Sequence, residues 1–129
     1  TRYPQVEEWK RNIILEAKEV GSVTNVFGRT RRFVWHRALG QKEIAAQERE
    51  AINFPNQSTA TDLNLVAFLK LAQHKLEVMF PFHDAVYLQA PEDRQEETER
   101  QMKLIMESIM SGPVPFRVDV GSGRNWGEV

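Results

Sequence analysis

The sequence predicts an α+β fold, a small antiparallel sheet packed against helices, and three observations predict it. First, the stretch Val78-Met79-Phe80-Pro81-Phe82-His83-Asp84-Ala85-Val86-Tyr87-Leu88-Gln89-Ala90 reads as two apolar strands around a polar turn. Val78, Phe80 and Phe82 alternate on the way in, and Val86, Leu88 and Ala90 on the way out, which is the period of a half-buried hairpin. Second, residues 4–20, 42–77 and 92–111 carry apolar side chains at helical spacing. Third, Phe116, Val118 and Val120 alternate with Arg117 and Asp119, giving a strand at 116–120. With 129 residues and 41% hydrophobic content, the chain can build a core as one domain or as one piece of a larger one.

The elements follow in order. Pro4 suits the first turn of a helix over 4–20. Val6, Trp9, Ile13, Ala17 and Val20 share one face, Glu7 and Glu8 sit at the positive end of the helix dipole, and Gly21 is a stop. Residues 22–35 read as a hairpin, with strands at Ser22–Phe27 and Phe33-Val34-Trp35. Its basic tip carries Arg29, Arg31 and Arg32, which suit either a phosphate backbone or plain solvation. A helix over 42–77 contains Pro55, which lacks the N–H and clashes one turn back, so a kink or break is expected there. Beyond the kink Ser58 or Thr59 would cap the restart, and Leu65, Leu69, Ala72 and Leu76 would form the core stripe. After the hairpin at 78–90, Pro91 breaks the strand. The helix over 92–111 then buries Met102, Ile105, Met106, Ile109 and Met110, and its acidic run from Glu92 to Glu99 faces solvent.

Charge and composition exclude several classes. The chain has no cysteine, and so neither a disulfide framework nor a Cys-based zinc site. No apolar run approaches the ~20 residues of a membrane helix. Net charge is −1 but uneven. Residues 1–50 carry ten Lys/Arg against seven Asp/Glu, and residues 92–129 carry five against eight. A free-standing nucleic-acid binder usually shows a larger basic excess, so most of the phosphate attraction would come from other sequence. The opening Thr1-Arg2-Tyr3-Pro4 has neither a Met start nor a signal-peptide core, and the expectation is a piece of a longer chain.

Two groups of residues point to chemistry. His83 and Asp84 are the only side chains of the central hairpin that carry charge near neutral pH. Aspartate is a favoured turn residue for its local hydrogen bonds, and a fixed carboxylate is also what a hard divalent cation requires. Arg49, Asn53 and Gln57 stand at i, i+4 and i+8, on one side of a helix if helical geometry persists through Pro55. They make either an ordinary polar face or a stripe of the side chains that hydrogen-bond base edges and sugars.

Taken together these residues resemble the C-terminal part of family A DNA polymerases, the bacterial DNA polymerase I group. Gln47-Glu48-Arg49-Glu50-Ala51-Ile52-Asn53-Phe54-Pro55-Asn56-Gln57-Ser58-Thr59-Ala60-Thr61-Asp62 is similar to the family's A-E-R-x-A-x-N-x-P-I-Q-G-x-A-A-D. Phe82-His83-Asp84-Ala85 resembles the V-H-D-E of its motif C. Gly21 through Arg29 resembles G-x-V-x-T-x-x-G-R-R-R, with Asn25 where that pattern has threonine. Val114-Pro115-Phe116 through Asn125-Trp126 resembles the family's V-P-L…D…G-x-x-W close. Order and spacing agree from Tyr3 to Trp126.

The resemblance implies a palm-type antiparallel sheet built from the motif C hairpin and the C-terminal strand. It implies a DNA-directed DNA polymerase, a nucleotidyltransferase, as the parent enzyme, working in the cytoplasm of a bacterial cell or a virus-infected host. Asp84 would be a catalytic Mg2+ ligand in a two-metal site, and His83 would lie beside the primer 3′ end. Arg49, Asn53 and Gln57 would contact primer–template DNA, and Arg29 its backbone. The partners implied are primer–template, deoxynucleoside triphosphates and the N-terminal polymerase portion. A homodimer through an exposed sheet edge is a further expectation. Ala85 stands where motif C has a second carboxylate, Ser58 where the pattern has glycine, and Asn56 where it has an apolar residue. Two-metal phosphoryl transfer needs more than one carboxylate and cationic groups on the triphosphate, so the chain alone is expected to be inactive. The alternative is a non-catalytic DNA-binding or assembly module derived from such a palm.

Overall fold

A computed structural model describes residues 2–129. In chain order the elements are α1 (Pro4–Glu19), β1 (Ser22–Thr24), β2 (Thr30–Arg32), α2 (Gln41–Gln73), β3 (Glu77–Phe82), β4 (Ala85–Gln89) and α3 (Gln95–Glu107). A 3₁₀ turn at Glu92–Arg94 precedes α3, and another closes the chain at Trp126–Glu128. The class is α+β. The chain forms two compact units, one ending at Ala60 and the other beginning at Thr61. Each has its own apolar cluster and its own two-stranded antiparallel sheet.

In the N-terminal unit α1 ends where Gly21 takes the left-handed conformation (φ +76°), which glycine adopts at no Cβ cost. Ala17, Val23, Phe33 and Ala51 are buried together, with Ile13, Trp35 and Phe54 packed around them. The hairpin is shorter than the sequence predicts. Its second strand is Thr30–Arg32, pairing Ser22 with Arg32 and Thr24 with Thr30. Phe33 and Trp35 lie beyond the ladder. Phe33 enters the core, and the Trp35 indole donates to the Ala17 carbonyl at 2.6 Å.

The cause is Asn25, a buried polar residue. Its Oδ1 accepts from the backbone N–H groups of Phe27 and Arg29, both at 2.9 Å. This side-chain bridge closes the turn early, with Gly28 in the left-handed region (φ +85°). The amide's other end donates to Ser58 Oγ at 3.0 Å.

Helix α2 runs unbroken through Pro55. The proline ring cannot donate to the Ala51 carbonyl, which costs roughly 3 kcal/mol in a helix interior. Packing of Ala51 and Phe54 in the N-terminal cluster works against that cost. Ser58 does not cap a second helix. Its hydroxyl donates to the Phe54 carbonyl one turn back at 2.6 Å. The helix stops at Gln73, short of 77, because Lys75 takes a left-handed φ of +62°. Lys75 N–H then bonds the Ala72 carbonyl, and Leu76 N–H the Leu71 carbonyl. This is the Schellman pattern, here without glycine.

In the C-terminal unit the buried apolar residues are Ala67, Leu71 and Val86, joined by Phe68, Leu76, Val78, Leu88, Met102, Ile105, Met106 and Ile109. Leu65 and Leu69, predicted for the core, are 42% and 59% exposed. The inward stripe is Asn64, Ala67 and Leu71 instead. Hairpin β3–β4 carries an irregularity between Val78 and Phe80: Val78 pairs with Leu88, but Phe80 pairs with Tyr87. One extra residue, Met79, shifts the period of two, so Phe80 and Phe82 leave the core face. There they meet Tyr87 and Trp126. The Trp126 ring stacks on Tyr87 (centroids 4.5 Å apart) and Phe80 (4.9 Å), with Phe82 edge-on at 6.0 Å.

The strand predicted at 116–120 does not form. Pro113 and Pro115 remove two donors, and Val118 N–H bonds the Glu107 carboxylate at 3.0 Å rather than a neighbouring strand. The C-terminal segment reaches the hairpin by aromatic stacking. It is also tied to α3, where Gln95 Nε2 donates to Ser122 Oγ at 2.6 Å and to Glu99 at 2.9 Å. Helix α3 itself begins and ends inside the predicted 92–111, at Gln95 and Glu107.

Asn25→Ala leaves two turn N–H groups without their acceptor and should destabilise the chain by about 2 kcal/mol, read from urea unfolding midpoints; a change under about 0.5 kcal/mol contradicts the bridge. Hydrogen bonds from Ser122 and Gln95 hold the Glu99 carboxyl below its usual 4.5. A depressed carboxyl stabilises the fold above its ordinary value and loses that contribution as pH falls through the folded one. Trp126 fluorescence, isolated by subtracting a Trp126→Phe variant, should therefore change below about pH 4.5. Glu99→Gln should flatten that change, and an unaltered profile in Glu99→Gln counts against the tether.

Candidate nucleic-acid interface and metal-binding turn

The tip of the central hairpin is a two-residue loop. Phe82 pairs with Ala85 across it, leaving His83 and Asp84 between. His83 adopts a left-handed φ of +52°, a region that few non-glycine residues visit but in which histidine is enriched. The edge of the Phe82 ring meets the His83 imidazole, with centroids 4.4 Å apart. Asp84 is exposed.

The loop is held from beneath by Asn64 of α2. Asn64 is 8% exposed. Its Nδ2 donates to the carbonyl of His83 at 3.1 Å and to that of Ala85 at 3.2 Å, the carbonyls on either side of Asp84. Its Oδ1 is buried with no partner among the described residues. Sequence reasoning missed Asn64. The available signal was a lone polar residue in the apolar run Leu63-Asn64-Leu65-Val66-Ala67-Phe68-Leu69.

The second group lies in the N-terminal unit. Because α2 is continuous, Arg49, Asn53 and Gln57 keep their i, i+4, i+8 relation on one side of it. All three are exposed, while Ala51 and Phe54 pack inward. Arg29 is also exposed, and its backbone is fixed twice. Its N–H goes to Asn25 Oδ1, and its carbonyl accepts from Asn25 N–H, both at 2.9 Å. Arg31 is engaged on α2. Its guanidinium pairs with Glu50 on α2 and lies over the Phe33 ring, 5.5 Å from the centroid. Lys18 likewise pairs with Glu48 at 2.6 Å. Arg31 is part of an ion pair, and Arg29 stands on a turn whose backbone is locked. His83 and Asp84 belong to the C-terminal unit, and Arg29, Arg49, Asn53 and Gln57 to the N-terminal one.

The donor set bears on a metal. A carboxylate on a fixed turn suits Mg2+, which binds through one or two carboxylates and keeps several waters. No group of three or more His, Asp or Glu with metal-binding geometry occurs among the described residues, and Ala85 contributes no oxygen beyond its backbone. The turn thus fits the metal as one ligand of a larger set.

Comparison with known proteins bears on the whole chain. The family model for DNA polymerase family A matches residues 1–128. A thermostable DNA polymerase I of Thermus filiformis is 37% identical over 129 residues, covering 96% of this chain and 15% of the relative. The DNA polymerase I of Lactococcus lactis is 30% identical with 98% and 15% coverage, and the DNA polymerase of Bacillus phage SP01 is 28% identical with the same coverage. Among solved structures, the POL domain of Pol1 from M. smegmatis in complex with DNA primer-template and dNTP superposes with a TM-score of 0.83 at 26% identity. It covers 95% of this chain, which spans 23% of that one. With a match over nearly its full length, spanning about 15% of its curated relatives, the chain belongs to DNA polymerase family A.

Proposed function

We propose that this chain supplies the motif C aspartate and part of the primer–template surface of a DNA-directed DNA polymerase. The observation that carries the proposal is the Asp84 turn, an exposed carboxylate between two carbonyls held by one buried amide. Family membership and the likeness to a polymerase bound to primer–template and dNTP support the reading. Asp84 would hold Mg2+, and a divalent ion bound there would neutralise charge on the phosphoryl oxygens and favour the attacking hydroxyl. His83, next to Asp84 and braced by Phe82, would border the primer 3′ end. Arg49, Asn53 and Gln57 would hydrogen-bond the terminal base pairs and sugars. Arg29, on its locked turn, would pair with a backbone phosphate.

A single carboxylate does not hold two metal ions. The remaining ligands and the cations for the triphosphate would come from the rest of a family A domain, and the isolated chain would be inactive. Partners would then be primer–template, deoxynucleoside triphosphates and that complementary portion, in the cytoplasm of a bacterial or virus-infected cell. The outer edges of the two-stranded β3–β4 sheet would be where backbone pairing to a second copy takes place. One observation favours a second reading, a DNA-binding module without chemistry: Ala85 puts a methyl group where the resemblance has a carboxylate. No described helix is long and apolar enough to cross a membrane.

The two readings separate in a complete polymerase carrying this segment. Asp84→Asn should reduce primer extension at least about 100-fold while primer–template Kd stays within about threefold. Arg49→Ala should weaken primer–template binding about tenfold, measured by fluorescence anisotropy. Synthesis that survives Asp84→Asn removes the metal-ligand role, and unchanged affinity in Arg49→Ala removes the stripe.

A further inference from the structure

We infer that Asn64 is the positioning residue for Asp84, acting through the backbone of the turn. The inference rests on the reading of Asp84 as a metal ligand. An Asn on the buried face of a helix, in line with Ala67 and Leu71, is costly unless its amide is used. Here both donor bonds go to the carbonyls flanking one residue, His83 O at 3.1 Å and Ala85 O at 3.2 Å. Two carbonyl oxygens require the NH2 end of the amide, so the chemistry fixes its orientation.

Two further features separate this arrangement from ordinary core packing. His83 sits at φ +52°, a region that few non-glycine residues occupy. The Asn64 Oδ1 stays buried without a partner among the described residues, a cost that an apolar side chain of the same shape avoids. The asparagine at 64 is accounted for by the two carbonyls it holds. Ala85 sharpens the requirement. With no carboxylate on the neighbouring residue, the turn presents a single metal ligand. A displacement of order 1 Å at that ligand has no second oxygen to compensate for it.

The test has two arms. In the 129-residue chain, hydrogen exchange is followed at the amides of Phe82 and Ala85, which face each other across the turn. Asn64→Leu should speed exchange there about tenfold, with α2 amides unchanged, and Asn64→Ser, which retains one donor, should fall between. In a complete polymerase carrying the segment, Asn64→Leu should raise the Mg2+ concentration for half-maximal primer extension about fivefold, while dNTP KM and primer–template Kd stay within about twofold. If circular dichroism shows Asn64→Leu unfolded, Asn64→Ser carries the comparison in both arms.

Unchanged exchange at the turn overturns the inference. Faster exchange with an unmoved Mg2+ midpoint reduces Asn64 to a structural residue and overturns it as well. Asp84→Asn runs alongside as the reference. Synthesis that survives in Asp84→Asn overturns the metal-ligand reading itself, whereas loss of synthesis in Asp84→Asn with no effect of either Asn64 variant overturns only the positioning role.

Discussion

A charged side chain that must meet its ligand in water cannot be fixed by its own packing; its backbone has to be fixed instead. In both units of this chain a buried asparagine amide fixes the backbone of a turn that carries an exposed charged residue. In the N-terminal unit Asn25 Oδ1 accepts from two backbone N–H groups of the turn that carries Arg29, and its NH2 donates to Ser58 Oγ on α2. In the C-terminal unit Asn64 donates to the two carbonyls around Asp84. An amide suits the task because it offers donors and an acceptor on one short, rigid, uncharged group. Buried amides are also costly when left unpaired, so the turns they hold are specified strongly.

The position of the apolar residues follows a second constraint, which is phase. In β3 a single extra residue at Met79 sends Phe80 and Phe82 to the face opposite Val78. The aromatic rings gathered there would be a large exposed patch, but Trp126 covers part of it by stacking on Phe80 and Tyr87. The C-terminal segment therefore closes onto the hairpin through rings, not by adding a strand. In α2 the inward face is set by Asn64, Ala67 and Leu71, and Leu65 and Leu69 are left outward. The Asn25–Ser58 contact adds a point about divergence. Asn25 and Ser58 are two of the positions where this chain departs from the family pattern, and they hydrogen-bond each other at 3.0 Å. The hydroxyl that a glycine would lack is thus partnered by an amide that reaches farther than a threonine.

Much of this was legible in the residues. The α+β class, the helix from Pro4, the hairpin around His83-Asp84 and the polar stripe Arg49, Asn53, Gln57 all follow from period and turn chemistry. What was not legible has physical causes. Strands need partners as well as alternation, and residues 116–120 alternate without a neighbour to pair with. Period does not give phase when both faces of a segment carry leucine, as around Leu65 and Leu71. A bulge such as that at Met79 has no fixed sequence signature. The end of α2 lacked its usual glycine, because Lys75 takes the left-handed position. Pro55 suggested a break that packing of Ala51 and Phe54 prevents. The clamp on Asp84 was invisible because it is a contact between residues 19 and 21 positions apart.

In the proposed reading this chain carries one ligand of a shared two-metal site and completes a polymerase only with the rest of a family A domain. Mg2+-dependent primer extension with all four deoxynucleotides decides it. It is run on the chain alone and on the chain mixed with a separately expressed portion bearing the remaining carboxylates and the nucleotide-binding cations. Synthesis is expected in the mixture and none from the chain alone. Synthesis by the chain alone, or none from a mixture that forms a stable folded complex, would contradict it.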